Sequence, residues 1–186
     1  SAINIAAELL SNQNGGKGVL LGGISGITPT EVIIIGADTI AEFAARAALG
    51  LGALVKVFDN SPQKLEALQR CLGQRLHTSI FHPKVLRRAL KSADVVIGAL
   101  NLWYTGPHYF VTEDMVKEMK KGSVVIDLSI DQGGCIETSE YRTLQDSTYT
   151  KHNLIHYTFN NLHSRFSRTA SIALINILSP IMVTFG

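Results

Sequence analysis

The residues whose types and spacing most clearly suggest a chemical function lie between a predicted strand and a predicted helix. The apolar run from Glu31 to Ile35 predicts a buried parallel strand, and the alanine-rich stretch 40–49 predicts the helix that follows it. A dinucleotide-binding turn at this place has the pattern G-x-G-x-x-G, which puts glycine at positions 36, 38 and 41. The residues found there are Gly36, Asp38 and Ala41. The sequence therefore predicts the architecture of a nucleotide site with an altered phosphate contact.

Asp38 stands where the pattern has its middle glycine, which lets the backbone approach the pyrophosphate. A side chain narrows that approach, and a carboxylate about 4 Å from a phosphate charge costs roughly 4 kcal/mol at an effective dielectric constant of about 20. The run Thr39-Ile40-Ala41-Glu42 also fits a capping box, in which Thr39 and Glu42 satisfy the free helix amides themselves. Two alternatives stay open: a helix N-terminus that holds a phosphate, and one that caps itself. Ala41 is the milder change, because the last position of the pattern admits alanine.

Asp59 follows the next predicted strand, Leu54 to Phe58, and comes 18 residues after Ala41. A carboxylate at this place can accept hydrogen bonds from ribose hydroxyls and repels a 2′-phosphate, which favours NAD over NADP. The alternative is a turn residue within the run Asp59-Asn60-Ser61-Pro62.

Segments of strand and helix character alternate along the chain. Helices are predicted near 3–10, 39–51, 62–72, 83–91, 112–119 and 169–178, and strands near 32–35, 54–58, 77–81, 94–100, 123–128 and 154–159. This order predicts an α/β fold, a Rossmann-like doubly wound parallel sheet with helices on both faces. Ligands of such sheets lie beyond the carboxyl ends of the strands, near the switch in strand order. The candidate site is therefore formed by the loops 36–39, 58–60, 99–106 and 129–135.

Composition argues against several function classes. A net charge of +2, with no Lys/Arg run longer than a pair, does not indicate a nucleic-acid partner. No apolar run reaches 18 residues, so no membrane span is expected. His152 and His156 have the i, i+4 spacing of metal ligands on a helix, but His156 falls in a predicted strand, so we expect no metal site.

The domain organisation follows from length and from the first residues. A chain of 186 residues suits one domain with an added element. The chain begins at Ser1, and Ala2 to Leu10 has the character of a helix interior, so we expect residues 1–14 to be a helix and link from a missing N-terminal catalytic or substrate domain, with the dinucleotide-binding Rossmann domain at 15–186. Cys71 and Cys135 show no disulfide pattern, which favours reduced thiols in the cytoplasm.

The order of motifs from Gly15 onward resembles the NAD-binding domain of alanine dehydrogenases and of the related nicotinamide nucleotide transhydrogenases. The resemblance is carried by the segments 16–23, 44–53, 57–60, 93–99, 119–127 and 130–139. The most specific of these is Ile130-Asp-Gln-Gly-Gly-Cys-Ile-Glu-Thr-Ser139. The stretch Ser164 to Ser171 resembles a subgroup of the alanine dehydrogenases.

The resemblance implies oxidation of L-alanine to pyruvate and ammonia with NAD, by a homo-oligomer whose substrate-binding residues lie on a separate N-terminal domain. This chain is then expected to be inactive alone, with NAD and a small amino-acid or keto-acid substrate as its partners. Asp131 is implied as the catalytic residue near the nicotinamide ribose, although a turn before Gly133 and Gly134 is the alternative. The implied cofactor-binding residues are Gly36, Ala37, Asp38, Thr39, Ile40, Asp59, Asn60, Lys64, Ala99, Leu100, Asp131, Asn161 and Leu162.

Departures from the family pattern leave three functions open. The family has glycine where Asp38 and Ala41 stand, and its loops at 101–105 and 161–164 also differ. The leading interpretation is the NAD-binding domain of an alanine-dehydrogenase-like oxidoreductase. The second is a degenerate Rossmann domain with weakened NAD binding, acting as an assembly or regulatory module. The third is the soluble NAD(H) domain of a transhydrogenase, which would need membrane partners.

Overall fold

A computed structural model describes residues 2–102 and 108–158, together with 168–169, 171–172, 174–176 and 178–179. The strands are β1 (Glu31–Ile35), β2 (Leu54–Phe58), β3 (His77–Ser79), β4 (Val95–Gly98), β5 (Val124–Asp127), β6 (Thr148–Lys151) and β7 (Leu154–Tyr157). The helices are α1 (Ala2–Leu10), α2 (Thr39–Gly50), α3 (Pro62–Leu72), α4 (Pro83–Ser92) and α5 (Glu113–Lys117), with short 3-10 helices at Asn12–Asn14, Ile130–Gln132 and Leu144–Asp146. The described residues between 168 and 179 are helical, as predicted for that segment.

The seven strands form one sheet in the order β3-β2-β1-β4-β5-β7-β6. All neighbouring strands pair in parallel except β6 and β7. From β1 the chain moves outward through β2 to β3 and then crosses to β4 on the other side of β1, so the strand order switches between β1 and β4. The predicted α/β doubly wound fold is confirmed, and ligands of such sheets bind at the carboxyl edge of this switch.

Two cores lie on the two faces of the sheet, because successive side chains of a strand point to opposite sides. Val32 and Ile34 of β1 pack with α1, α2 and α3, whereas Ile33 and Ile35 pack with α4 and α5. Burial on both faces explains why β1 is a continuous apolar run rather than an alternating one. Helix α1 contributes six buried residues to the first core, so it packs on the same face of the sheet as α2 and α3. None of the helices in the described ranges combines the length and apolar character that a membrane crossing requires.

The edge strand β6 has no counterpart among the predicted strands. It forms an antiparallel hairpin with β7 through His152 and Asn153, whose positive φ angles of 54° and 61° suit a two-residue turn. The strand TYTK alternates between exposed and half-buried residues and has no apolar run, which is why its pattern did not stand out.

His156 of β7 is fully buried beside this hairpin. Its Nε2 lies 2.8 Å from Thr138 Oγ1, and its ring stacks on Tyr149 at 5.0 Å between centroids. The other histidine, His152, instead places its Nε2 2.6 Å from Glu113 Oε1, so the two imidazoles have separate partners. Burial lowers the pKa of His156 from an ordinary value of 6.5 to about 4.

This shift predicts a loss of stability in acid. Between pH 6.5 and about 4 the unfolded chain binds a proton that folded His156 excludes, so the free energy of unfolding falls as the pH falls, by roughly 3 kcal/mol in total from this group. Above pH 6.5 both states are neutral and the contribution is constant. Urea unfolding of the unmodified chain and of His156→Gln across this range measures the effect. The variant should show the smaller slope, and equal slopes would contradict the assignment to His156.

Candidate functional site

The ends of β1 and β4 meet at Gly36, where no larger residue fits. Gly36 has φ +112°, and a Cβ there would lie 2.6 Å from the carbonyl oxygen of Ala99. The Gly36 amide donates to Phe58 O at 2.7 Å, and the Ala99 amide donates to Ile35 O at 2.8 Å. The first glycine of the altered pattern is therefore required by the close approach of two loops, and Ala99 is held beneath the turn after β1.

Asp59 ties the turn after β1 to the turn after β2. It is 5% exposed; its Oδ2 accepts a hydrogen bond from the Ala37 amide at 2.9 Å, and its Oδ1 accepts one from the Ser61 amide at 2.8 Å. Each carboxylate oxygen has a second lone pair, so these two bonds leave acceptor capacity for ribose hydroxyls. The turn interpretation and the ribose interpretation are thus compatible, because one carboxylate can do both.

Asp38 is the N-cap of α2, but its side chain makes no capping hydrogen bond. Both of its carboxylate oxygens instead contact the Lys64 ammonium, Oδ1 at 2.8 Å and Oδ2 at 2.9 Å. The hydrogen bond and the charge of Asp38 raise the pKa of Lys64, and the nearby charge of Asp59 adds to the effect. The charge of Asp38 therefore has a cationic partner, which the sequence pattern did not indicate.

The capping-box alternative is wrong. Thr39 is the first residue of α2 rather than its cap, and Glu42 accepts a hydrogen bond from Arg46 at 2.8 Å instead of reaching back to the helix start. Glu42 and Arg46 lie one turn apart on the same helix face, which allows this i, i+4 pair. The N-terminus of α2 has no side-chain cap from Asp38, and such an end can attract an anion.

An aromatic groove of about 310 Å³ opens beside Asn60. Phe81 and Phe110 stack at 4.2 Å between ring centroids, and His108 meets Phe110 edge-on at 4.7 Å. Leu100 packs against the same core cluster as these two phenylalanines. The groove escaped sequence reasoning because its lining comes from separate segments: Asn60, Phe81, His82, Pro83, Leu86, His108, Tyr109, Phe110, Thr112 and Met115.

A second buried carboxylate, Asp127, shapes the loop that carries Asp131. Asp127 is fully buried at the end of β5; Oδ1 accepts from the Ser129 amide (3.0 Å) and hydroxyl (2.6 Å), and Oδ2 accepts from the amides of Cys135 (3.1 Å) and Ile136 (3.2 Å). Burial raises the pKa of Asp127. Sequence reasoning did not single out Asp127, although a carboxylate that ends an apolar strand is the signal that could have found it.

Asp131 lies in the 3-10 helix Ile130–Gln132, exposed beyond the carboxyl end of β5. The next residue, Gln132, accepts a hydrogen bond from the Leu102 amide at 2.6 Å, which joins the loop after β5 to the loop after β4. The exposed carboxylate of Asp131 is thus presented on a loop fixed at two points.

The structure places the described members of the predicted site at one edge of the sheet. Gly36, Ala37, Asp59 and Ala99 are linked by short contacts, and Asp38 reaches Lys64. Thr39 and Ile40 form the exposed first turn of α2, and Asn60 borders the aromatic groove. The predicted site residues Asn161 and Leu162 lie outside the described residues.

Known proteins are similar to this chain in sequence and in fold. Residues 2–185 match the family described as the C-terminal domain of alanine dehydrogenase and PNT. Alanine dehydrogenase 2 of Staphylococcus aureus (strain USA300) is 42% identical over 177 residues, covering 95% of this chain and 48% of that protein. A solved L-alanine dehydrogenase superposes with a TM-score of 0.92 and 34% identity, over 98% of this chain and 50% of the other.

A transhydrogenase from Sinorhizobium meliloti superposes with a TM-score of 0.68 over 83% of this chain and 45% of the other, and its 24% identity supports the fold alone. The chain spans about half the length of the curated relatives it matches.

A pair of glycine substitutions tests the contact between the two loops. Gly36→Ala should destabilise the fold by about 1–3 kcal/mol, because the new methyl group meets the Ala99 carbonyl and φ is positive. Gly50→Ala is the matched control: Gly50 ends α2 with no atom within 4 Å of a new Cβ, so it should be neutral or stabilising by up to about 1 kcal/mol. Urea unfolding measures both, and equal stabilities for the two variants would refute the contact.

Proposed function

The chain belongs to the alanine dehydrogenase/PNT C-terminal domain family, a dinucleotide-binding family, and we propose that it is the NAD-binding part of an alanine-dehydrogenase-like oxidoreductase. In the whole protein, NAD when bound would accept the hydride that L-alanine loses on its way to pyruvate and ammonia. The residues that recognise the amino acid or keto acid would come from a part of the protein beyond this chain. The chain alone is then inactive on alanine.

The observation that carries the proposal is the position of Asp59 beside the Gly36 turn. A buried carboxylate ties the turn after β1 to the turn after β2, next to the switch between β1 and β4. The same edge holds the N-terminus of α2, which has no side-chain cap from Asp38. Backbone amides for a pyrophosphate and a carboxylate for a ribose are the two elements that a dinucleotide site requires.

Each part of the edge has a proposed role. The backbone from Gly36 to Ile40 binds the pyrophosphate, and Asp59 accepts hydrogen bonds from the adenosine ribose, with Lys64 and Asn60 beside it. Ala99 and Leu100 form the floor of the site. The aromatic groove next to Asn60 has the size and apolar lining for a planar heteroaromatic ring such as adenine. Asn161 and Leu162 are assigned to the nicotinamide side on the family resemblance.

Asp131 is the proposed catalytic residue of this chain. Its exposure beyond β5 and the double anchoring of its loop by Asp127 and Gln132 support a carboxylate presented at a fixed place. A carboxylate near the nicotinamide ribose can orient that ribose and the reacting carbon by hydrogen bonding.

NAD rather than NADP is proposed because the Asp59 carboxylate would repel the negative charge of a 2′-phosphate. Asp59 is buried and already bonded to two amides, so a 2′-phosphate could not displace it without leaving those amides unpaired. The proposal extends to a homo-oligomeric parent protein and to the cytoplasm, where the two cysteines, both free, would stay reduced.

The degenerate-module alternative is favoured by one observation, the side chain of Asp38 at the place of the middle glycine. If the ion pair with Lys64 blocks the pyrophosphate, the fold is retained without tight binding. The transhydrogenase alternative has weaker support, since the solved transhydrogenase shares less identity with this chain than the alanine dehydrogenases do.

Calorimetric titration with NAD and with NADP tests the proposal. The unmodified chain should bind NAD more tightly than NADP. Asp59→Asn should weaken NAD binding about tenfold or more, because a neutral amide is a weaker acceptor for the ribose hydroxyls and its NH2 group cannot accept from the Ala37 or Ser61 amide. Asp146→Asn is the matched control, since Asp146 is an exposed carboxylate paired with Arg142 near the β6 edge. No binding of either nucleotide at millimolar concentration would contradict the cofactor assignment, and equal effects of the two substitutions would remove Asp59 from the site.

A further inference from the structure

The Asp38–Lys64 ion pair links the two helix starts that border the proposed dinucleotide site. Asp38 stands at the start of α2, where the proposed pyrophosphate binds, and Lys64 stands in the first turn of α3, next to the proposed ribose contact. The ammonium lies within 2.9 Å of both oxygens of the carboxylate. The Lys64 amide is fixed by the Ser61 hydroxyl at 3.3 Å, so the backbone position of Lys64 is set by the cap of α3.

We propose that Asp38 is a specificity-determining residue that withholds Lys64 from the nucleotide, and so lowers the affinity for NAD and strengthens the rejection of NADP. This inference rests on the proposed function, because it concerns the same site. On this account, Asp38 in place of the middle glycine changes the affinity for the nucleotide but leaves the binding site in place.

The charge balance at the site supports this role. Asp38, Asp59 and Lys64 together carry two negative charges and one positive charge when all are ionised. A pyrophosphate at the start of α2 brings further negative charge next to Asp38. Lys64 can then neutralise Asp38 or contact the ligand, but it cannot fully do both with one ammonium group.

The Asp38–Lys64 pair is partly exposed, so Lys64 can leave Asp38 to contact a nucleotide. The side chains of Lys64 and Asp38 are 47% and 34% exposed, and ion pairs of this kind hold weakly in water. A nucleotide can therefore compete for Lys64, at a loss of affinity, without unfolding the turn. Asp59 repels the 2′-phosphate of NADP, so NADP would gain more affinity than NAD from a contact with Lys64. The affinity for NADP is therefore lowered more than that for NAD while Asp38 holds the Lys64 ammonium.

Asp38 could lower the affinity by holding Lys64 away from the nucleotide or by repelling the pyrophosphate directly. Four proteins distinguish these effects: the unmodified chain, Asp38→Asn, the double variant Asp38→Asn/Lys64→Met, and the control Glu42→Gln. Asn keeps the size of the side chain and removes its charge. Glu42→Gln removes one negative charge one turn further along the same helix, where Glu42 pairs with Arg46 rather than with Lys64. Titration calorimetry with NAD and NADP gives the dissociation constants of all four.

Asp38→Asn should bind NAD about tenfold more tightly and gain more for NADP than for NAD. The double variant should lose that gain, because the freed ammonium is gone, and Glu42→Gln should stay within about twofold of the unmodified chain. A gain that the double variant retains would overturn the inference in favour of repulsion by Asp38 alone. Unchanged affinity in Asp38→Asn, or equal gains for both nucleotides, would also overturn it. If none of the four proteins binds a nucleotide, the proposed function fails, and this inference fails with it.

A ligand-free measurement tests the pair itself. Asp38 raises the pKa of the Lys64 ammonium, so the NMR titration of reductively methylated lysines should show the Lys64 signal shifting to a lower pKa in Asp38→Asn and not in Glu42→Gln. A Lys64 pKa that is the same in all three proteins would show that Asp38 does not hold the ammonium, and the inference would be wrong even if NAD binds.

Discussion

The contact between Gly36 and the backbone of Ala99 is the constraint on which the site depends. The turns after β1 and β4 lie so close at the switch in strand order that a single methyl group cannot be placed between them. This closeness brings the turn 36–40, the carboxylate of Asp59 and the backbone of Ala99 and Leu100 to one edge of the sheet. A larger residue at position 36 would push the turns after β1 and β4 apart, whatever the charge of the ligand.

Two buried carboxylates then organise the loops around that contact. Asp59 and Asp127 follow or end apolar strands, and each collects backbone amides that the loops would otherwise leave unpaired. Asp59 joins two loops across the proposed ribose site. Asp127 closes a single loop around itself and presents Asp131 outward. The same arrangement thus puts one carboxylate at the proposed ligand site and makes the other a structural support for its loop.

The fold could be predicted because β1, β4 and β5 are uninterrupted apolar strands, and only a sheet covered on both faces buries them. Details that depend on partners distant in sequence could not. Lys64 pairs with Asp38 across 26 residues, so the partner of that carboxylate could not be found from the local pattern. The capping box failed for a local reason, because α2 begins at Thr39 with Asp38 as its N-cap, and Glu42 pairs with Arg46. The aromatic groove is assembled from separate segments, and β6 is paired at the edge without an apolar pattern. Local patterns record burial well and long-range charge pairing poorly.

The most direct test of the account is to map NAD onto the folded chain by the amide chemical shifts of the ¹⁵N-labelled protein. The account places the largest changes at the carboxyl edge of the sheet, on the amides of residues 36–41, 59–61 and 99–102. Residues at the opposite edge, such as Glu31 and Leu54 at the starts of β1 and β2, should be unchanged. Changes centred on that opposite edge, or absent while the chain stays folded in the presence of millimolar NAD, would contradict the claim that the switch between β1 and β4 is a dinucleotide site.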